Sequence, residues 1–191
     1  MHTELLDISW IQQQDLESVI EKAQNNGLQN IRNGWPSHQS VFKGSLETLN
    51  VDLPADVMRA ISGFGGGIAG FGGACGALCG GIAALGYFFG NDKQRDFSGL
   101  KEIIDNPELG PHDKIRASEE GLKEVHSPYS SLVHMFKDKF GSMNCEDLIS
   151  QFYPDIVSRE RFYHCHSIIA ATTGFVVEIV MQPVKLNSLS L

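Results

Sequence analysis

The sequence predicts an all-α fold, a single-domain helical bundle over residues 1–191 with a glycine-rich helix at its centre. Two observations carry this prediction. Apolar residues recur at helical spacing through most of the chain, and the alternating patterns that mark strands are essentially absent. A length of 191 residues, with 42% hydrophobic and 20% charged residues, suits one globular domain with a sizeable core.

The first predicted helix covers residues 13–26. Leu16, Ile20 and Ala23 share one face of it, and Gly27 is expected to end it, because glycine commonly follows the last helical turn. Prolines then mark two helix starts, since the N–H that proline lacks is unpaired in a first turn anyway. The next helices are predicted after Pro36–Ser37 (residues 38–50), from Pro54 (residues 54–62) and in the glycine-rich stretch (residues 74–89).

The second half is predicted to open with a polar excursion over residues 91–127, with short helices at most and no second domain. Ser127 as N-cap and Pro128 as first residue then begin a helix that Gly141 ends. The remaining predicted segments are a helix starting over residues 145–150, a helix over residues 159–181 and a short tail over residues 183–191.

The charge balance limits the partners and the compartment. The formal net charge of -8 argues against nucleic acid, whose phosphates attract basic surfaces. The N-terminal segment has acidic residues where a secretion signal needs a basic region followed by an apolar one, so we expect a cytoplasmic protein. Cysteines in the cytoplasm stay reduced, and metal binding or redox chemistry is then expected of them rather than structural disulfides.

The uncharged, glycine-rich segment of residues 62–90 has two readings that we reject. It is long enough to span a membrane, but glycine contributes little to insertion and the flanks lack aromatic belts and basic clusters, so no membrane span is expected. Residues 65–70, "GGGIAG", match the G-x-G-x-x-G pattern of nucleotide-binding loops. That motif requires a preceding strand and an acidic residue about 20 positions later, and neither is present.

Cys75 and Cys79 lie in the same segment, four residues apart. On one helix face their Cβ atoms would be about 5–6 Å apart. A disulfide needs roughly 3.5–4.5 Å, whereas a metal ion held by two bonds of about 2.3 Å bridges the larger gap. The alternative stays open that both are small buried hydrophobic residues, as free cysteines often are.

Four segments in order resemble one known family. They are "SGFGGG" at residues 62–67, "CGALCG" at residues 75–80, "FGSMNC" ending at Cys145 and "CHSIIAA" from Cys165. The chain is similar over about residues 16–181 to the C_GCAxxG_C_C family of helical redox-active proteins, which includes a domain of the split-Soret cytochromes. Each motif alone is weak, but the set in this order is specific.

The resemblance implies a cofactor held by cysteines, and the chain departs from the family pattern at two positions. Ser37 stands where the family has its first cysteine, and Cys79 stands where the family has another residue. We therefore expect Cys79 to replace the missing ligand, pointing from one continuous helix to the same side as Cys75. No C-x-x-C-H sequence is present, so the haem c of the split-Soret relatives is not expected. The expected ligands are Cys75, Cys79, Cys145 and Cys165.

Histidines next to these positions are further candidates. His38 adjoins Ser37 and is the best placed to complete a metal site. His164 and His166 flank Cys165 in sequence, and neighbours of an inward-pointing helical residue point elsewhere, so both are expected at the surface or the rim.

These observations leave three functional hypotheses. The first is a soluble protein that binds an iron–sulfur cluster, with zinc as the alternative, and transfers electrons with an unknown redox partner. The second is a degenerate family member, marked by Ser37 at the family cysteine position, that acts as a non-catalytic interaction module with glycine faces that pack helices across a homodimer. The third is thiol–disulfide chemistry by Cys145, whose place at a helix start would lower its pKa. No hydrolytic signature is present, and the sequence leaves open whether the protein is an enzyme.

Overall fold

The computed structural model describes residues 14–53, 55–90 and 98–181, without the side chains of residues 120–126. Within these ranges the chain is all-α and has no β-strand, which confirms the predicted fold class. The predictions about Pro54, residues 91–97 and the tail 183–191 lie outside the described residues. The α-helices are α1 (Leu16–Arg32), α2 (Ser37–Thr48), α3 (Ala55–Ala60), α4 (Gly76–Phe89), α5 (Ser98–Asp105), α6 (Pro111–Phe140), α7 (Cys145–Ile149) and α8 (Arg159–Met181), and single 3-10 turns cover Ser62–Phe64 and Ser150–Phe152.

Helix α1 does not end at Gly27 as predicted but continues for five more residues to Arg32. Gly27 is a packing position, because a Cβ atom there would lie 2.4 Å from Oγ1 of Thr173 on α8. A Cβ atom on Gly44 of α2 would in turn lie 2.8 Å from the Gly27 nitrogen. The two glycines therefore let three helices approach closely, and this tertiary packing outweighs the tendency of glycine to end a helix.

Helix α6 also differs from the prediction. It begins at Pro111 after Gly110 and runs through Pro128, so the expected helix start at Ser127–Pro128 is wrong and the polar excursion is shorter than residues 91–127. A proline inside a helix costs about 3 kcal/mol. The turns after Pro128 carry the fully buried side chains of Leu132 and Phe136, whose packing offsets that cost. Gly141, in the left-handed conformation with a φ of 80°, ends the helix as predicted.

The core lies between α1, α2, α4, α6 and α8, which contribute to one continuous cluster of buried apolar residues. Helix α8 crosses the middle of it and is the one described helix long and apolar enough to cross a membrane. Its apolar window is 56% buried against the other helices, and core helices of soluble proteins share this length and composition. Among the largest fully buried side chains are Phe42, Phe136, Leu46, Leu49, Leu85, Leu132, Ile168 and Ile169.

Glycines on α4 set its distance from its neighbours. A Cβ atom on Gly76 would lie 2.7 Å from Oγ of Ser37, and one on Gly80 would lie 2.1 Å from the carbonyl oxygen of His38. On another face, a Cβ atom on Gly81 would lie 2.8 Å from Cδ2 of Leu132. The glycine faces that we expected to pack across a dimer are therefore covered by α2 and α6 of the same chain.

The contact at Gly80 generates a prediction about stability. Gly80→Ala should destabilise the fold by about 3 kcal/mol or more, because the added methyl group would overlap a backbone carbonyl of α2 that cannot move independently. Gly86→Ala on the same helix is the matched control, since a Cβ atom there meets nothing within 4 Å. It should be neutral or stabilising by up to about 1 kcal/mol. Urea unfolding of both variants measures the difference, and equal midpoints would contradict the close packing of α2 on α4.

Candidate functional site

The segment between the 3-10 turn Ser62–Phe64 and α4, residues 65–74, is called the glycine loop here. Five consecutive residues, 66–70, have φ angles between 53° and 82°. Two of them, Ile68 and Ala69, are not glycine, and the left-handed conformation costs such residues about 1–2 kcal/mol each. Hydrogen bonds within the segment and to the preceding 3-10 turn hold it in this shape: the Ala69 N–H donates to the Gly63 carbonyl of the turn (2.8 Å), and the Gly73 N–H donates to the Gly67 carbonyl (2.9 Å).

Three further backbone hydrogen bonds join residues 72–75 to residues 143–146, and we call them the backbone clasp. The Cys75 N–H donates to the carbonyl of Met143 (2.7 Å), and the Cys145 N–H donates to the carbonyl of Gly73 (2.7 Å). The Glu146 N–H donates to the carbonyl of Gly72 (3.0 Å). The clasp ties the start of α4, where Cys75 is the N-cap residue, to the start of α7, where Cys145 is the first residue.

The glycine loop also fits closely around Cys145. A Cβ atom on Gly67, whose φ is 76°, would lie 2.8 Å from Cβ of Cys145 and 2.5 Å from the backbone carbon of Gly72. Glycine is therefore required at position 67 both by its conformation and by the contact with the cysteine. The glycine-rich sequence is explained by the folding of the backbone around this cysteine.

Cys75, Cys145 and Cys165 line one pocket of about 190 Å³, which is room for about six water molecules. The residues between them that complete the wall include Ser37 of α2 and Arg161 of α8. All four cysteines of the chain are free thiols.

Ser37, where the resemblance predicts the first family cysteine, borders this pocket together with the three cysteines. Its hydroxyl lies against Gly76, the first residue of α4. Residues 37, 75, 145 and 165, the positions that the resemblance predicts for the family cysteines, thus meet at one place although they belong to four different helices or helix starts.

Cys79 does not line the pocket, so the expectation that it replaces the cysteine missing at position 37 is not met by the geometry. The physical reason is that α4 begins at Gly76, so Cys75 precedes the helix with φ and ψ of -55° and 130°. The two cysteines therefore do not project from one continuous helical face. The Cys79 thiol lies 3.7 Å from the carbonyl oxygen of Ala74 instead.

His38, the other proposed ligand, is also absent from the residues that line the pocket. Its ring is buried under the glycine loop, edge-on to Phe64, with a centroid distance of 6.4 Å. Neither ring nitrogen completes a hydrogen bond within the described part of the chain. Burial lowers the pKa of His38, and the nearby Ser62 backbone opposes this with a smaller effect, so a neutral imidazole is favoured there.

The two histidines that flank Cys165 lie in different surroundings. His166 lines the pocket, and burial, with the positive charge of Arg32 adding to it, lowers the pKa of its ring. His164 packs against the ring of Phe152 at a centroid distance of 5.4 Å. His166 is therefore a rim residue of the cysteine pocket, and His164 is not.

Burial governs the thiols of the pocket. It raises the pKa of Cys75 from 9.0 to about 11, with smaller contributions of the same sign from Cys145 and Cys165, and backbone N–H groups at the start of α4 oppose it. Burial also raises the pKa of Cys145 and of Cys165, and in both the guanidinium of Arg161 opposes the rise. The depressed pKa that thiol–disulfide chemistry would require at Cys145 is not favoured by this environment.

The fit of a single metal ion depends on how closely the donor side chains approach one another. Within the described residues, no group of three or more His, Cys, Asp and Glu side chains is positioned to hold one ion. The three thiols instead surround an open pocket several water molecules in size. A ligand set of this kind suits a multi-atom group, which spans the distance between thiolates, better than a zinc ion, which needs four donors within about 2.0–2.3 Å.

Arg161 is the residue of this site that the sequence analysis missed. It lies four residues before Cys165 on α8 and so shares a face with it. That spacing is the signal that could have found it, once Cys165 is taken as a site residue.

Fold and site together define a helical protein in which three cysteines converge on a pocket beside a glycine-rich loop. The chain matches the model of the family described as "Putative redox-active protein (C_GCAxxG_C_C)" over residues 37–179, and it belongs to that family. It is 28% identical over 165 residues to an uncharacterized protein of Archaeoglobus fulgidus, which covers 86% of this chain and 95% of that relative. No solved structure matches the chain.

The raised pKa of Cys75 generates a prediction for the metal-free protein. A thiol whose pKa is higher in the folded than in the unfolded state stabilises the fold below the unfolded value and ceases to do so as the pH rises through the folded value. Between pH 9 and about 11 the free energy of unfolding should therefore fall, by roughly 2 to 3 kcal/mol from this group.

Urea unfolding of wild-type protein and of Cys75→Ser across this pH range, with chelator and reductant present, isolates the contribution of the thiol. Serine does not titrate there, so the loss should be smaller in the variant. Parallel pH dependences for the two proteins would show that Cys75 is not buried as a neutral thiol.

Proposed function

We propose that this protein binds an iron–sulfur cluster through Cys75, Cys145 and Cys165 and serves in electron transfer. The observation that carries the proposal is the convergence of these three cysteines, with Ser37, on one pocket in a member of a redox-active family. Thiolates are the ligands that iron–sulfur clusters prefer. A cytoplasmic location is part of the proposal, because free thiols persist in a reducing compartment.

A bound cluster would supply reversible one-electron redox chemistry. The residues of the chain supply the rest. The backbone clasp orients Cys75 and Cys145, α8 presents Cys165, and Arg161 places a positive charge beside the sulfur atoms. Positive charge near a redox centre favours its reduced form, so Arg161 is expected to raise the reduction potential.

The neutral thiols also bear on how the site is loaded. Metal binding requires thiolates, so each cysteine must release a proton when it becomes a ligand. Since burial raises the pKa of all three, loading is expected to improve as the pH rises above neutrality.

The interaction-module hypothesis receives less support. Besides Ser37, its motivation was a set of glycine faces that could pack across a dimer, and Gly76, Gly80 and Gly81 contact α2, α6 and α8 of the same chain. A homodimer remains a prediction, and an unknown redox partner is part of the proposal. Exposed apolar side chains beside the site are available for either, among them Phe71 (88% exposed) and Tyr163 (67% exposed).

The cluster assignment predicts a contrast among cysteine variants. Protein purified anaerobically should contain iron and acid-labile sulfide and absorb visible light. Cys145→Ser and Cys165→Ser should lose most of the iron, whereas Cys79→Ser, the matched control, should keep it because Cys79 lies outside the pocket.

Metal analysis with the visible spectrum of each variant makes this measurement. A colourless wild-type protein with four freely titrating thiols and no metal would contradict the cluster. If zinc is found in place of iron and is lost in the same variants, the proposed site would be confirmed and the cofactor assignment would change to zinc.

Ser37 generates a second prediction. Ser37→Cys adds a fourth thiolate at the pocket, so the cluster should be retained longer in air and its visible spectrum should change. Ser40→Cys is the control, because it adds a thiol to the same helix at a fully buried position that does not line the pocket. Air stability of the absorbance is the readout, and equal decay in Ser37→Cys, Ser40→Cys and wild type would show that position 37 does not face the cluster.

A further inference from the structure

A second pocket, of about 470 Å³, lies directly beside the cysteine pocket. The two share three lining residues, Gly66, Cys145 and Arg161, so a molecule in the second pocket would lie next to the Cys145 side of the first. Nothing in the cysteine motif accounts for this second pocket.

Arg161 is the basic side chain among the residues that line it. Within residues 14–53, 55–90 and 98–181, no carboxylate lies within 4.0 Å of its guanidinium, and its Nε atom is buried without a hydrogen-bond partner. Its Cζ atom lies over the ring of Phe162, 5.1 Å from the centroid, in a cation–π contact. The side chain thus has an aromatic contact, while its hydrogen-bonding edge has no protein acceptor among these residues.

The other polar groups of the second pocket include backbone N–H groups that are already hydrogen-bonded and the Glu146 carboxylate, whose charge repels an anion. The N–H groups of Gly72, Cys145 and Glu146 donate to backbone carbonyls. The Glu146 carboxylate lies over Gly72, where a Cβ atom would be 3.1 Å from its Oε2. Arg161, on the wall shared with the cysteine pocket, is the one positively charged side chain among the described residues that line the second pocket, so a negative group of a ligand is matched there and away from Glu146. Phe71 and Tyr153 provide aromatic surfaces for an uncharged portion.

We propose that the second pocket binds a small molecule through an oxyanion group, such as a carboxylate or phosphate, that pairs with Arg161 beside Cys145. Arginine presents a planar set of N–H donors that matches two oxygens of such a group, and the resulting charge-assisted hydrogen bonds are among the stronger ones in proteins. The role of this pocket as the substrate site of a redox centre rests on the proposed function, whereas its affinity for oxyanions does not.

The test compares two alkylating reagents of nearly equal size on the full-length, reduced chain, with any bound metal first removed anaerobically by a chelator. Iodoacetate carries a carboxylate, and iodoacetamide is neutral. In both, the Cys145 sulfur displaces iodide from the same carbon. At Cys145 the rate with iodoacetate is divided by the rate with iodoacetamide, both measured by peptide mass spectrometry. This ratio is then divided by the same ratio for the unfolded protein. Because both reagents react with the thiolate, the normalised ratio does not change with thiolate content. At about 0.15 M salt the long-range effect of net charge is screened beyond about 8 Å.

The proposal predicts a normalised ratio well above one in wild type, which falls roughly tenfold in Arg161→Gln because a charge-assisted hydrogen bond is lost. Arg159→Gln removes the same charge from an exposed position of the same helix that lines neither pocket, and should change the ratio by less than about twofold. Inorganic phosphate should slow iodoacetate at Cys145 in wild type and leave iodoacetamide less affected.

A wild-type ratio near one, or equal ratios in Arg161→Gln and Arg159→Gln, would overturn the proposal. If Arg161→Gln does not fold, Arg161→Lys takes its place in the comparison with Arg159→Gln, together with the phosphate competition in wild type. If phosphate does not slow iodoacetate at Cys145, the proposal is likewise overturned. These outcomes do not depend on iron, so failure of the oxyanion site is distinguishable from failure of the cluster assignment.

Discussion

Two short backbone hydrogen bonds, from the Cys75 N–H to the Met143 carbonyl and from the Cys145 N–H to the Gly73 carbonyl, determine the geometry of this site. They pair the residues before α4 with those at the start of α7, so that two cysteines far apart in sequence enter one pocket. The glycine loop can follow this path only because it adopts left-handed conformations over residues 66–70 and has no Cβ atom where Gly67 meets Cys145. The backbone strain of Ile68 and Ala69 is a free-energy cost of this loop conformation.

Glycines also permit close approach of the backbone in the helical core. Gly27, Gly44 and Gly80 bring α1, α2, α4 and α8 to distances that any larger residue would prevent. Ser37 is thereby held against the start of α4, at the wall of the cysteine pocket. The glycine content therefore serves two purposes, close helix packing in the core and close backbone approach to Cys145 in the loop.

The fold class could be predicted from the sequence because helical periodicity is a local property. The errors came from positions where distant residues decide. Gly27 has the sequence context of a helix stop but lies where helices cross, and Pro128 has the context of a helix start but lies inside α6. The motif positions Cys75, Cys145 and Cys165 meet at one pocket, but Cys79 could not be placed from spacing alone, because the start of α4 at Gly76 is set by the clasp and by packing on α2. Arg161 was missed because only its spacing from Cys165 marks it as a site residue, and that spacing is informative only once Cys165 is placed in the site.

The most direct test of the account is the anomalous diffraction of crystals grown anaerobically, measured on either side of the iron absorption edge. The account predicts iron in the pocket bordered by the sulfur atoms of Cys75, Cys145 and Cys165, with Ser37 facing the remaining side and Cys79 at no bonding distance. Iron or another metal bound between Cys75 and Cys79 on one face of a continuous helix would contradict both the clasp geometry and the proposed function.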